Sequence, residues 1–397
     1  MPSGKSSKSK KNTSSKNQSL AFDLLSLDFS SVLIGRRYRV LRLFLWKERQ
    51  FLQSIIIFFI IAGIFYPYPK VAMWLGFAFA GYSAIANDSI QTIGTFLSSN
   101  ADKKWWVLWL FIGGIFLVTM TTGWIIYDGD VSFQRLQSKG FEKAPESFTF
   151  LQLAAPLVLL ILTRLRMPVS TTFLLLSTFS ATSSGIMSVL QKSLFGYVIA
   201  FVVSLSVWFV FAKGINNLNK GKAHPIWTAL QWFTSGVLWS VWLMQDAANI
   251  AVFLPRSLSI YEFLAFVSYV FFGIGLLLYF RGGKIQNIIN EKSAVKDVRG
   301  ATIIDFIYAM ILLFFQNLSN IPMSTTWVFL GLLAGREISM NLSPLYTTIK
   351  QKKLPIVFKL VWRDALFALL GLLISVAMAV AVNPSIQKEI MNFFNGL

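Results

Sequence analysis

The chain has no cysteine, which excludes disulfides, thiolate metal sites and cysteine nucleophiles. Its single histidine, His224, argues against a zinc site or a histidine-based catalytic triad. Charge is scarce: 13% of the 397 residues are Asp, Glu, Lys or Arg, about half the share of a soluble domain. Acidic residues are scarcer still, 17 against 36 Lys and Arg, for a net charge of +19. In a soluble protein that excess would suggest nucleic acid; in an apolar chain it marks cytoplasmic loops, and no nucleic-acid partner is expected. There is no phosphate-binding Gly-x-x-x-x-Gly-Lys-Ser/Thr loop and no cluster of metal ligands, so neither ATP-driven work nor an enzyme is expected. Disorder is excluded by 37 Phe and 13 Trp, which need apolar surroundings.

Hydrophobic residues are abundant, at 55%. Residues 1–19 are an exception, a basic tail with Lys5, Lys8, Lys10, Lys11 and Lys16 and no acid. Residues 20–50 alternate apolar and polar positions and collect Arg36, Arg37, Arg39, Arg42, Lys47 and Arg49, as an amphipathic juxtamembrane helix on anionic lipid would. Apolar stretches follow at 51–67, 71–97, 104–126, 149–163, 168–190, 193–212, 226–254, 259–280, 300–318, 321–338 and 357–382. Most approach the roughly 20 residues that cross a bilayer. The fold class expected is an all-α polytopic membrane protein. Basic loops recur at 103–104, 213–222, 281–299 and 336–359, and poorly basic ones lie between them. Eleven crossings from a cytoplasmic N-terminus put every basic loop inside. Re-entrant hairpins at 149–190 or 300–338 give the same loop sides. A plasma (inner) membrane is expected, with an organelle envelope as the alternative.

The chain repeats itself. Residues 85–95 contain Asn87-Asp88 with Gln91 three residues after the Asp, and residues 243–249 contain Gln245-Asp246 with Asn249 in the same place. Pro168-Val169-Ser170-Thr171-Thr172 returns as Pro322-Met323-Ser324-Thr325-Thr326. The Asp offset is 158 residues and the Ser offset 154. Two motifs in one order at nearly the same spacing divide the chain into halves, 71–212 and 226–382, joined by the basic linker 213–225. Each half has five apolar elements, so the odd number turns the second upside down relative to the first. The stretch at 51–70 is an extra leading helix, and 383–397 reads as a tail.

The chemistry follows from the residue types. A carboxylate inside an apolar segment is expensive and points to function. Asp88 and Asp246, each with carboxamides on or near its helical face, offer oxygen ligands to a hard cation such as Na⁺, or a carboxylate that carries a proton. Pro, Ser, Thr, Thr at a helix start presents free backbone N–H groups and hydroxyl donors, a neutral site for a tetrahedral oxyanion. Two such sites across a pseudo-twofold would wrap one anion. Arg164 and Arg166 precede the first motif and have no counterpart before the second, where Asn317 and Asn320 stand.

These motifs resemble the inorganic phosphate transporter family, sodium- or proton-coupled phosphate symporters that also include sulfate permeases. Its pattern is a duplicated Gly-Ala-Asn-Asp-Val-Ala-Asn and a duplicated Pro-Val-Ser-Thr-Thr, and the resemblance covers 71–382. Here Ile85 and Leu243 stand in place of the glycines, Gln91 and Gln245 replace asparagines, and Phe173 and Trp327 occupy the position where the family commonly has His. The resemblance implies import of inorganic phosphate by symport with Na⁺ or H⁺ and no other cofactor. Ser170, Thr171, Thr172, Ser324, Thr325, Thr326, Asn87 and Gln245 would bind the anion. Asp88, Gln91, Asp246 and Asn249 would bind the coupling ion, with Asp88 and Asp246 ligating Na⁺ if sodium is used. It also implies a moving transport domain against a scaffold that often forms a homodimer. The alternatives are a sulfate permease of the same fold and a non-transporting membrane sensor on a degenerate scaffold.

Overall fold

Helices account for every regular element in the computed structural model, which describes residues 48–138, 140–165, 167, 169–218, 221–280, 297–346 and 354–395; no strand occurs among them. The basic tail, nearly all of the 20–50 segment, Arg166 and Pro168 lie outside the described residues. The chain divides into two units, 1–60 and 61–397. The first is described only over its last residues, the start of α1 (Arg49–Phe65).

The second unit begins at Ile61, within α1. Pro69 opens α2 (Pro69–Ala86), where a missing N–H does no harm. The helix is interrupted at Asn87, and α3 (Asp88–Ser99) starts at the next residue. The expected single stretch 71–97 is therefore two helices that meet inside the first Asn-Asp motif. α4 (Trp105–Ile126) follows, then a loop holding a short 3₁₀ turn at Arg135–Gln137.

α5 (Phe150–Arg164) opens with a reciprocal cap between Thr149 and Gln152. It turns back into α6 (Thr171–Leu176), only six residues long. The hydroxyl-rich segment 177–182 then leads into α7 (Ser183–Val210), capped by Thr182. Here the expected boundaries are corrected. The stretches 168–190 and 193–212 are instead a short helix and one continuous helix of 28 residues. The polar pair Gln191-Lys192 looked like an interruption, but Lys192 stays helical by donating to the Ser319 and Ile321 carbonyls at 2.9 and 2.6 Å.

A short α8 (Ala212–Leu218) precedes α9 (Ile226–Ala251), which is unbroken through Gln245, Asp246 and Asn249. Then come α10 (Ile260–Tyr279), α11 (Val298–Leu318), α12 (Thr325–Leu342) and α13 (Leu354–Val382). The expected tail after 382 is a further helix, α14 (Pro384–Asn395). By length and composition, α4, α7, α10, α11 and α13 are long and apolar enough to cross a membrane; α1 and α5 are shorter apolar helices. Much of the outward surface is apolar, for example Val118, Phe233, Val210 and Trp362. The structure is thus that of a helical protein compatible with a membrane.

Packing joins the two halves of the sequence. α9 lies along α11, and α10 lies against α4, where Phe271 fills the space above Gly113. The most extensive contact is between α7 and α12. Gly331 and Gly335 lie directly on the α7 backbone, where any Cβ would overlap the carbonyls of Tyr197 and Phe201. Small residues four apart let two helices approach this closely. α6 makes the corresponding contact with α13, where Val169 sits over Gly371.

Candidate functional site

Both repeated motifs meet in one buried cluster. Asp88 is 2% exposed and Asp246 is 2% exposed. Asn87 Nδ2 donates to Asp88 Oδ1 at 2.8 Å, and Asn249 Nδ2 donates to Asp246 Oδ1 at 2.7 Å. The second oxygen of each carboxylate, Asp88 Oδ2 and Asp246 Oδ2, has no hydrogen-bond partner. The two carboxyl groups are near enough to act on each other electrostatically.

The hydroxyl motifs lie against these carboxylates. Ser170 and Ser324 are the N-caps of α6 and α12, and their hydroxyls accept from the Phe173 and Trp327 amides, each at 3.2 Å. Each following threonine is thereby fixed in the first helical turn. Thr171 lies beside Asp88, and Thr325, its mate at the 154-residue spacing, lies beside Asp246. Thr171 Oγ1 nonetheless stays without a partner. Thr172 Oγ1 donates to the Met323 carbonyl at 3.2 Å and accepts from Asn249 Nδ2 at 3.3 Å, which ties the first hydroxyl motif to the second half. Thr326 is buried in the same turn of α12. Phe173 and Trp327, again 154 apart, touch with their rings tilted at 42° and centroids 5.1 Å apart.

Gln245 Nε2 reaches the Leu312 carbonyl at 3.4 Å, and its Oε1 has no partner. Asn249 Oδ1 is also without one. The Gln91 side chain lies outside the described residues. Asp88 Oδ2, Asp246 Oδ2, Asn249 Oδ1, Gln245 Oε1 and Thr171 Oγ1 are therefore buried oxygens lacking protein donors. Such atoms are rare in native structures and ask for a proton, a cation or a polar ligand.

Comparison with protein-family models, curated proteins and solved structures gave no match. The site has to be read from its own chemistry.

That chemistry includes residues that sequence reasoning passed over. Asp305 on α11 is 1% exposed; it accepts from Thr95 Oγ1 at 2.6 Å and from Ser235 Oγ at 2.5 Å. It stands in an apolar run as Asp88 does, and that signal was available, but it has no counterpart in the other half. Arg135, in the loop after α4, is 1% exposed and donates to the Ser319 carbonyl at 2.6 Å and more weakly to Met244 at 3.5 Å. Burial pushes its guanidinium down to about 10, which leaves it charged at neutral pH, and its field reaches Asp246. Arg135 and Lys192 both donate to the carbonyl of Ser319, just past the C-terminus of α11, where the helix dipole favours cations. Arg256, the single basic residue of its connection, binds the Phe141, Lys143, Val252 and Leu254 carbonyls and so closes that loop onto the end of α9. His224 only accepts from the Ile226 amide at 3.3 Å, and Arg363 lies 3.9 Å from Asp364.

Proposed function

We propose that the protein is a secondary active transporter in a membrane, importing inorganic phosphate by symport with Na⁺ or H⁺, and that it is built from two inverted repeats. The observation that carries the reading is the matched pair of half-satisfied carboxylates. Asp88 beside Thr171 and Asp246 beside Thr325 are related by the repeat spacings, and each keeps one buried oxygen without a donor. Asp305, by contrast, accepts a hydroxyl on each oxygen. Two half-satisfied carboxylates close together are a place for a coupling cation or proton that arrives and leaves.

The pseudo-twofold has independent support. Phe173 meets its own mate Trp327, and Gly113 meets Phe271 at the 158-residue spacing. Residues that touch their own repeat mates lie on the axis relating the halves. The axis thus runs beside both hydroxyl motifs, where one anion would be wrapped from two sides. α5 spans about 22 Å and α6 about 9 Å at 1.5 Å per residue, too short for two crossings, so 149–176 is read as a re-entrant hairpin.

Phosphate is favoured over sulfate by the same geometry. Phosphate at neutral pH keeps donor hydrogens and gains from a carboxylate acceptor near the anion; sulfate has none to give. Here Thr171, Thr172 and Thr325 stand directly beside the two aspartates. The sensor reading has less support, because both aspartates and all six hydroxyls are present and buried.

The test is reconstitution in liposomes, with labelled phosphate and labelled sulfate under an inward Na⁺ gradient, an inward H⁺ gradient or neither. Phosphate uptake driven by one gradient is expected, reduced about tenfold or more in Asp88→Asn and in Asp246→Asn, the loss of ~1.4 kcal/mol of ion binding. Uptake of sulfate alone would change the substrate. No uptake of either anion by folded, inserted protein would overturn the reading.

A further inference from the structure

A line of polar side chains leaves the candidate site along α3, in a part of the protein otherwise packed with apolar groups. Asp88, Thr92, Thr95 and Ser99 are spaced four, three and four residues apart and share one face of α3. Thr92 donates to the Asp88 carbonyl at 3.2 Å. Thr95 donates to Asp305, and Asp305 is held on its other oxygen by Ser235 of α9. One turn further along α9, Gln231 donates to Ser99 and accepts from Asn100 Nδ2 at 2.9 Å. There the line opens into a surface cavity of about 370 Å³, lined by Ser99, Asn100, Asp102, Lys103, Thr228 and Asp297. The ends of α3, α9 and α11 converge on this cavity, and Asp305 sits seven residues into α11, about 10 Å from it.

We propose that Asp305 is a proton-carrying group on the route between the coupling-ion site and this cavity, so that the ion is H⁺ and leaves through α3, α9 and α11. The proposal rests on the transporter reading and on the basic loops lying inside, and it chooses between the two coupling ions. The chemistry suits a proton. Asp305 accepts a hydroxyl on each oxygen, and a hydroxyl both donates and accepts, so by turning it passes a proton on. The proton released at Asp88 travels along the Thr92 and Thr95 face of α3, binds the Asp305 carboxylate through the Thr95 hydroxyl, and is given up toward Ser99 and water in the cavity. The charged groups on the surrounding elements are engaged elsewhere. On α7, Lys192 holds the Ser319 and Ile321 carbonyls; on α12, Arg336 pairs with Glu337 at 2.7 Å; on α11 itself, Arg299 pairs with Asp297 at 2.6 Å; at the cavity, Asp102 pairs with Lys103 at 3.2 Å. α3 and α9 face Asp305 with Thr95 and Ser235, and their own carboxylates are Asp88 and Asp246 at the candidate site.

Net symport requires the proton to leave inside; exchange of labelled for unlabelled phosphate does not. The experiment compares wild type, Asp305→Asn and Asp305→Glu in proteoliposomes, reading H⁺-driven net uptake across external pH and phosphate exchange at equal pH. Asparagine preserves the shape and still bonds both hydroxyls, and exchange reports that the variant is folded. Net uptake is expected to fall about tenfold or more in Asp305→Asn while exchange stays within about twofold of wild type, and Asp305→Glu is expected to recover net uptake. The relay is overturned if Asp305→Asn keeps its net uptake, if it loses exchange equally, or if wild-type uptake follows Na⁺ and ignores pH. A wild type that neither takes up nor exchanges phosphate overturns the transporter reading itself, and the relay with it.

Discussion

Asn249 shows how much one side chain does at the site. Its single amide nitrogen reaches both Asp246 Oδ1 and Thr172 Oγ1, so it joins the acidic motif of one half to the hydroxyl motif of the other. Asn249→Leu removes that donor and leaves a buried carboxylate without the bond that fixes it. Loss of a hydrogen bond to a charged group costs about 1.5–3 kcal/mol, so a lower melting temperature in detergent is expected along with loss of phosphate uptake. An unchanged melting temperature would show that the bond does not hold the site. At this scale the sequence was informative where chemistry stood out against its surroundings. Asp88 and Asp246 were visible because a carboxylate in an apolar run is conspicuous, and duplication linked each to its hydroxyl motif. Asp305 was equally conspicuous but unduplicated, and Arg135 was lost in a loop read only as poorly basic. No sequence rule pairs a loop arginine with carbonyls more than a hundred residues away.

α7 and α12 are in contact through backbone, which makes that helix pair sensitive to a single methyl group. Gly331→Val would push a Cβ into the Tyr197 carbonyl, and no rotamer relieves an overlap with main chain. Overpacking of this kind costs about 1–3 kcal/mol. Gly196→Ala is the control, since its nearest neighbours are the ends of the Val328 and Met323 side chains, 3.0 and 3.2 Å away, which can give. A marked fall in melting temperature is expected for Gly331→Val and a smaller one for Gly196→Ala; equal effects would contradict the close approach. Most helices were legible from their apolar stretches: 104–126, 226–254 and 259–280 became α4, α9 and α10 almost unchanged. The misreadings have physical causes. Lys192 looked like an end because the carbonyls that accept it are supplied by the distant connection between α11 and α12. The real break, between α6 and α7, lies in a Ser/Thr-rich segment whose hydroxyls bond the local backbone, as Ser177, Thr178 and Ser180 do.

For the molecule as a whole, charge predicts orientation. Ala223 lies in a basic connection and Glu146 in the poorly basic loop before α5. The chain has no cysteine, so a cysteine placed at either position is the sole thiol. A membrane-impermeant maleimide is expected to label one of them from outside the cell and the other only from inside; labelling of both from one side would refute the eleven-element topology. The repeat spacing was plain in the sequence, but the inequality of its copies was not. Asn87 breaks the first acidic helix while α9 runs on unbroken, and α6 has six residues where α12 has 18. The glycine contact between α7 and α12 has a wider meaning. Those helices belong to opposite halves of the sequence, as do α6 and α13, which touch in the corresponding way. The halves are therefore clasped like interlocked hands and are not two jaws on a hinge. On the proposed reading, an anion wrapped between them would not be released by prising one half from the other. It would have to be carried by a body to which both halves contribute.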